Sequence, residues 1–172
     1  KALHVLSLAA YGTGRPAEGM AHARPAIGLL DGLPGSEHWL GLVYHDLAVN
    51  AVTAGDLDAA LDAGQREDAI GLASGWPRVQ ALACSVIAWT HALRGEVSKA
   101  IDVAGRGLTL SGDPMTSSLL SGAMATAELE RGGSAVAVTL LTDVVKRLAQ
   151  SPVRSGEVRH LTLLSEAHLA SG

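Results

Sequence analysis

Four glycines, Gly14, Gly55, Gly95 and Gly132, with Gly172 after them, stand 41, 40, 37 and 40 residues apart. A period of this length is the mark of stacked supersecondary units, none of which can bury its apolar face alone. The flanks of the glycine repeat with it. Eight positions before it come Leu6, Leu47, Ile87, Met124 and Leu164, and seven before it Ser7, Ala48, Ala88, Ala125 and Ser165. Five positions after it stand Gly19, Ala60, Ala100 and Ala137, each followed by Met20, Leu61, Ile101 or Val138. A large apolar residue fills the gap between two helices, and its small neighbour lets the next backbone come close. The glycine ends one helix, where a left-handed conformation costs no Cβ clash.

Composition supports helices rather than strands. Hydrophobic residues make up 48% of the 172, but aromatics only 3%, and phenylalanine is absent. Ala, Leu, Val and Ile carry the hydrophobicity, which suits close helix packing better than a β-sandwich. Prolines keep the same phase: Pro34, Pro77, Pro114 and Pro152 fall between units, and Pro16 follows the first turn. Asp56 and Asp113 are placed to cap helices. The pattern predicts nine helices, at 1–12, 16–30, 36–54, 56–73, 77–94, 96–110, 114–131, 134–150 and 153–170. Pro25 falls inside the second, where the lost N–H is expected to kink or shorten it, as a local defect or a hinge.

The unit Ala54-Gly55-Asp56-Leu57-Asp58-Ala59-Ala60-Leu61 resembles the tetratricopeptide repeat (TPR). The resemblance covers nearly the whole chain, as four helix pairs and a final single helix. Two departures stand out: the period is nearer 40 than the usual 34, and most aromatic columns are lost. Lengthened helices of this sort resemble the repeat regions of large bacterial MalT-like, LuxR-type transcriptional regulators, and signalling ATPases and cyclases carry similar arrays. HEAT repeats share the period, but the Gly-Asp-Leu turn followed by Ala suits them less well. The fold this implies is an all-α, right-handed superhelix of antiparallel helix pairs, with about four and a half repeats in one domain spanning 1–172.

The resemblance also implies that the first helix of each pair lines the concave face. Ten before the glycine, that face carries His4, His45, Ser85, Gly122 and Thr162; nine before, Val5, Asp46, Val86, Ala123 and Leu163. Six before come Leu8, Val49, Trp89, Thr126 and Glu166, and three before Tyr11, Val52, Ala92, Leu129 and Leu169. Such a face is apolar with a few polar groups, as binding grooves are. Tyr11, His45, Ser85, Trp89 and Thr126 are the candidate groove residues. The opposing expectation is that a tightly closed or self-associating superhelix simply packs them.

No chemical motif competes with this reading. Gly12-Thr13-Gly14-Arg15-Pro16-Ala17 has the spacing of a dinucleotide loop, but a helix precedes it where a strand is required. The seven histidines never pair at four-residue spacing around a carboxylate, as a zinc helix would need. His4 and His45 share one column and His91 and His168 another. Asp46 follows His45, yet adjacent helical residues do not face each other. Cys84 reads as a small buried residue, and no serine sits in a nucleophile-elbow sequence. Residues 36–75 carry seven acidic and one basic side chain, a net charge of −6. Its run Asp56, Asp58, Asp62, Glu67 and Asp68 is expected to form a solvated outer face or a docking surface for a basic segment. Lys146, Arg147, Arg154 and Arg159 are too few for a nucleic-acid footprint.

The sequence thus describes a non-catalytic domain without cofactor or metal, whose concave groove takes a protein or peptide segment or a small-molecule effector. Direct nucleic-acid contact and membrane insertion are not expected. The longest uncharged run, from Val79 to Leu93, is 15 residues, short of the roughly 20 a membrane helix needs. One cysteine favours a reducing cytoplasm. The chain opens on Lys1 and runs directly into a periodic pattern, as expected of a piece of a longer protein. Within such a protein the module would sense an effector for a bacterial transcriptional or signalling regulator. The alternatives are a self-association module forming a homodimer, or the repeat region of a signalling ATPase or cyclase.

Overall fold

The computed structural model describes residues 1–149 and 157–172. Among them are nine α-helices and no strand: α1 (Ala2–Gly12), α2 (Pro16–Leu30), α3 (Glu37–Ala54), α4 (Leu57–Ser74), α5 (Pro77–Leu93), α6 (Val97–Leu110), α7 (Pro114–Glu130), α8 (Ser134–Ala149) and α9 (Glu157–Ser171). The boundaries agree with the sequence reading to within a residue through α7. The expected end of α8 at Gln150, the start of α9 at Val153, and Pro152 and Arg154 lie outside the described residues.

The turns form for the reasons the columns suggest. Gly14, Gly55, Gly95 and Gly132 take φ values of 71°, 81°, 72° and 82°, the left-handed region open to a residue without Cβ. Asp56 and Asp113 accept hydrogen bonds from the backbone N–H of Ala59 and Thr116, capping α4 and α7. Pro25 does not shorten its helix, for α2 runs unbroken to Leu30. Both Pro25 and Ala21, whose carbonyl loses its helical partner, are exposed. Water can satisfy that carbonyl, so the helix is not shortened.

Helix contacts sort the chain into two layers. Every helix touches its neighbours in sequence. The odd-numbered helices also touch one another in series, α1 with α3, α3 with α5, α5 with α7 and α7 with α9. Even-numbered helices do not pack on one another in this way among the described residues, and Arg106 of α6 reaches Asp68 of α4 only through its long side chain. The odd helices therefore form the inner layer of a curved stack and the even helices its outer layer.

Small side chains hold the layers together. Ala60, Ala100 and Ala137, five after the repeat glycine, are wholly buried, as are Ala48, Ala88 and Ala125 of the column before it. Ser165, in that same column, is exposed because no helix follows α9 among the described residues. Ala48, Val49 and Val52 of α3 pack with Ala60 and Ala63 of α4 and Val86 of α5, so one cluster ties a repeat to the next. In α6, an added Cβ at Gly107 would lie 2.8 Å from Cys84 Cβ and 2.6 Å from a Leu120 methyl. At Gly105, two residues away, nothing stands within 4 Å.

This pair separates packing from helix propensity. Gly105→Ala should raise the unfolding free energy by roughly 0.5–1 kcal/mol, the usual helix-interior gain. Gly107→Ala should lower it by about 1–3 kcal/mol, because the overpacked Cβ meets a Cβ that cannot swing aside. Urea unfolding of both variants checks this; a gain at Gly107 would show that α6 does not approach α5 and α7 so closely.

Candidate functional site

The inner layer lines a cavity of about 360 Å³ that is partly open to solvent. Its wall draws on α1, α3, α5, α7 and α9 and on no even-numbered helix. Tyr11, His45, Ser85, Trp89 and Thr126 all line it. From the other concave columns, His4, Asp46, Val86, Gly122, Ala123, Leu8, Val49 and Leu163 join them, whereas Val5, Thr162 and Glu166 do not, nor do Val52, Ala92, Leu129 and Leu169 of Tyr11's own column. Val5 is turned outward on α1 and is 60% exposed.

Hydrogen bonding limits what each polar wall residue can offer. Ser85 Oγ donates to the Leu82 carbonyl at 2.7 Å, and Thr126 Oγ1 to the Gly122 carbonyl at 3.0 Å. Both hydroxyl protons are thus directed at their own helices, leaving oxygens that can accept but not donate. The tyrosine and tryptophan are tied together by a residue the groove columns omitted. The Arg159 guanidinium, carried by α9, stacks over the Trp89 ring of α5 and interacts with the Tyr11 hydroxyl of α1. Burial lowers the Arg159 pKa from its ordinary value, and the Tyr11 hydroxyl opposes that shift. Side chains of the first, middle and last helices meet in this way in the cavity wall.

Two buried histidine–carboxylate pairs flank it. His4 Nδ1 lies 2.6 Å from Asp46 Oδ2, joining α1 to α3. His45 Nδ1 lies 3.2 Å from Glu67 Oε2, joining α3 to α4. Asp46 and His45 are neighbours in sequence that do not face each other, as helix geometry requires; each finds its partner on another helix. Glu67 corrects the expectation of a solvated acidic face, since its side chain is wholly buried. The reason lies in its place in the repeat. Twelve positions after the glycine stand Ala26, Glu67, Gly107 and Val144, all buried, so the column faces inward whatever residue occupies it. Asp58 and Asp62 are exposed, whereas Asp68 is partly covered and takes Arg106 of α6 as a bidentate partner.

Other expected features stand apart. His91 pairs with Glu96 at the α5–α6 turn, and His168 is exposed on α9, so that shared column makes no site. Cys84 is wholly buried, and its thiol is pushed up to about 11, chiefly by burial. Among the described residues no three of His, Cys, Asp and Glu converge as metal ligands. No helix among them is long and apolar enough to cross a membrane.

The buried pairs make stability depend on pH. Burial pushes Asp46 up from 3.8 to about 6, with His4 pulling the other way. Burial favours the neutral form of His45, but the Glu67 carboxylate outweighs it and the pKa rises; Glu67 is raised by its own burial, against His45. Between 3.8 and about 6 the native chain holds a proton on Asp46 that the unfolded chain releases. Stability from this group is therefore fullest below the lower value and declines as pH rises through the upper one. Asp46→Asn keeps the shape without the charge. Its stability relative to wild type should improve by about 2–3 kcal/mol between about pH 4 and about pH 7. Urea unfolding across that range checks it; a difference that does not change with pH would show that Asp46 titrates normally.

No protein-family model and no curated protein sequence matches the chain. Its structure is similar to that of a putative kinesin light chain with nearly identical TPR-like repeats from Podosopora anserina, at a TM-score of 0.65 and 20% identity. The alignment covers 99% of this chain and 86% of that one. A point variant of the same protein gives a TM-score of 0.65 and 19% identity, over 99% and 85% of the two chains. At this identity the likeness is one of fold: the chain is an all-α, TPR-like helical repeat array.

Proposed function

We propose that the chain is a non-catalytic binding module whose ligand or partner segment occupies the cavity of the odd-numbered helices. The observation that carries this is the convergence of five helices on one apolar space. Four repeats and α9 each contribute side chains to it, while the outer layer contributes none. Cavities of a few hundred cubic ångströms with few polar groups are the usual form of small-molecule sites. Curvature links such a site to the rest of a larger protein. A ligand touching α1, α5 and α9 together favours one degree of closure of the stack, and stacked repeats change curvature collectively. The resemblance in period and turn to MalT-like, LuxR-type regulators supports placing the module in a bacterial transcriptional or signalling regulator, with effector sensing as its task.

Self-association is the second reading, favoured by apolar side chains left open at both ends of the stack. Val5 and Leu6 on α1 are 60% and 47% exposed, and Leu161 and Leu169 on α9 are 42% and 84%. Light scattering separates the two. A doubled mass that returns to the monomer in Leu6→Glu or Leu169→Glu would establish an end-to-end dimer, and a monomer at all concentrations would remove it.

Thermal unfolding tests the cavity reading. A ligand at a hundred times its dissociation constant adds about 2.7 kcal/mol to stability, roughly 5–10 °C in a domain of this size. Trp89→Ala should abolish most of that shift while leaving far-ultraviolet dichroism unchanged. A ligand whose full shift survives Trp89→Ala binds elsewhere, and the cavity would not be the functional site.

A further inference from the structure

Aligning the inner helices one more turn back from the glycine gives the column Lys1, Leu42, Leu82, Leu119 and Arg159, of which Lys1 does not line the cavity. Thirteen positions before Gly55, Gly95 and Gly132 stand Leu42, Leu82 and Leu119, and all three line the cavity. Thirteen before Gly172 stands Arg159, which lines it too. An array that repeats leucine at this place three times has set a cation into the same wall.

Among the described residues that cation has no anion. The other two charged side chains of the wall are committed, Asp46 to His4 at 2.6 Å and Arg78 to Asp113 at 3.7 Å. None of the salt bridges among the described residues includes Arg159. Its neighbours are the Trp89 ring and the Tyr11 hydroxyl, which orient the guanidinium without neutralising it. A partly buried charge without a counterion is costly, and a ligand that brings one recovers that cost on binding. A planar guanidinium matches a carboxylate through two parallel N–H donors. One guanidinium balances one negative charge, which favours a carboxylate over a phosphate dianion. Leu8, Leu42, Leu82, Val86, Leu119 and Leu163 give the wall a continuous supply of apolar contact. A space of about 360 Å³ is of the size of a small-molecule site.

We propose that the cavity binds a small monocarboxylate with an apolar body, its carboxylate on Arg159 and its body against the leucine columns of the inner helices. This rests on the cavity being the binding site, and the experiment distinguishes the two claims. Octanoate and 1-octanol, alike in body and different in head group, are titrated by calorimetry into the wild type, Arg159→Leu, Arg159→Lys and Trp89→Ala. Arg159→Leu installs the residue found in the second, third and fourth repeats, so folding should be preserved, and circular dichroism verifies it. The wild type should prefer octanoate by about tenfold or more, the size of a charge-assisted hydrogen bond. Arg159→Leu should lose that preference while keeping 1-octanol, and Arg159→Lys should retain part of it. Equal affinity of the wild type for both probes, or octanoate binding unchanged in Arg159→Leu, overturns the carboxylate assignment. If 1-octanol still binds and Trp89→Ala removes it, the cavity reading survives that failure. If neither probe binds, the small-amphiphile proposal falls; a peptide whose binding needs Trp89 would then leave the cavity with a different occupant.

Discussion

The close approach of helix backbones across alanine and glycine is the constraint on which the rest of the structure depends. Each repeat places a wholly buried small residue seven before and five after its glycine, and Ala48, Ala88 and Ala125 mark the inner helices at these contacts. Gly19, Gly64 and Gly107 press the outer helices against the following inner ones, where a Cβ would meet Asn50, Ile87 or Leu120. Small contacts allow dense interdigitation, so the stack draws its stability from many modest dispersion contacts rather than from a few large side chains. The same economy explains the scarcity of aromatics. A phenylalanine at any of these columns would hold the backbones apart.

Curvature follows from the two layers, and the cavity follows from curvature. Among the described residues only the inner helices pack on one another beyond their sequence neighbours, and their polar and aromatic columns converge inside the bend. Helices far apart in the chain become neighbours there without backbone contact. Tyr11 and Arg159 are separated by most of the sequence, yet both reach the Trp89 side of the cavity through their side chains. The pairs His4–Asp46 and His45–Glu67 tie α3 to α1 and to α4 at this wall. Charge in this molecule is thus found in its interior as well as on its surface, and protonation is coupled to how firmly the first two repeats are joined.

Most of the architecture was legible in the sequence because it is periodic. The glycine columns marked the turns, the alanine columns marked the layers, and the concave columns placed Tyr11, His45, Ser85, Trp89 and Thr126 around one space. Two chemically informative residues escaped because they depart from their own columns. Glu67 looked like part of an acidic run, and adjacency in sequence suggested a solvated face. Its column of Ala26, Gly107 and Val144 shows that the position points inward. Arg159 looked like one of a few scattered basic residues, and only its alignment with Leu42, Leu82 and Leu119 gives it a place in the wall. Pro25 does not end its helix, because that effect depends on whether the orphaned carbonyl faces solvent, which periodicity does not specify. Exceptions within a repeat column carry the chemistry, and they become visible only after the columns themselves are established.

If the inner helices, from first to last, bound one shared site, a single occupant must touch all of them. Intermolecular nuclear Overhauser effects from a small apolar probe such as 1-octanol, with the methyl groups of the protein assigned, test this most directly. One bound probe should show contacts at once to Leu8 of α1, Leu82 of α5 and Leu163 of α9. Contacts confined to exposed methyls such as Leu72 and Leu108 on the outer helices, or to only one repeat, would contradict the shared site.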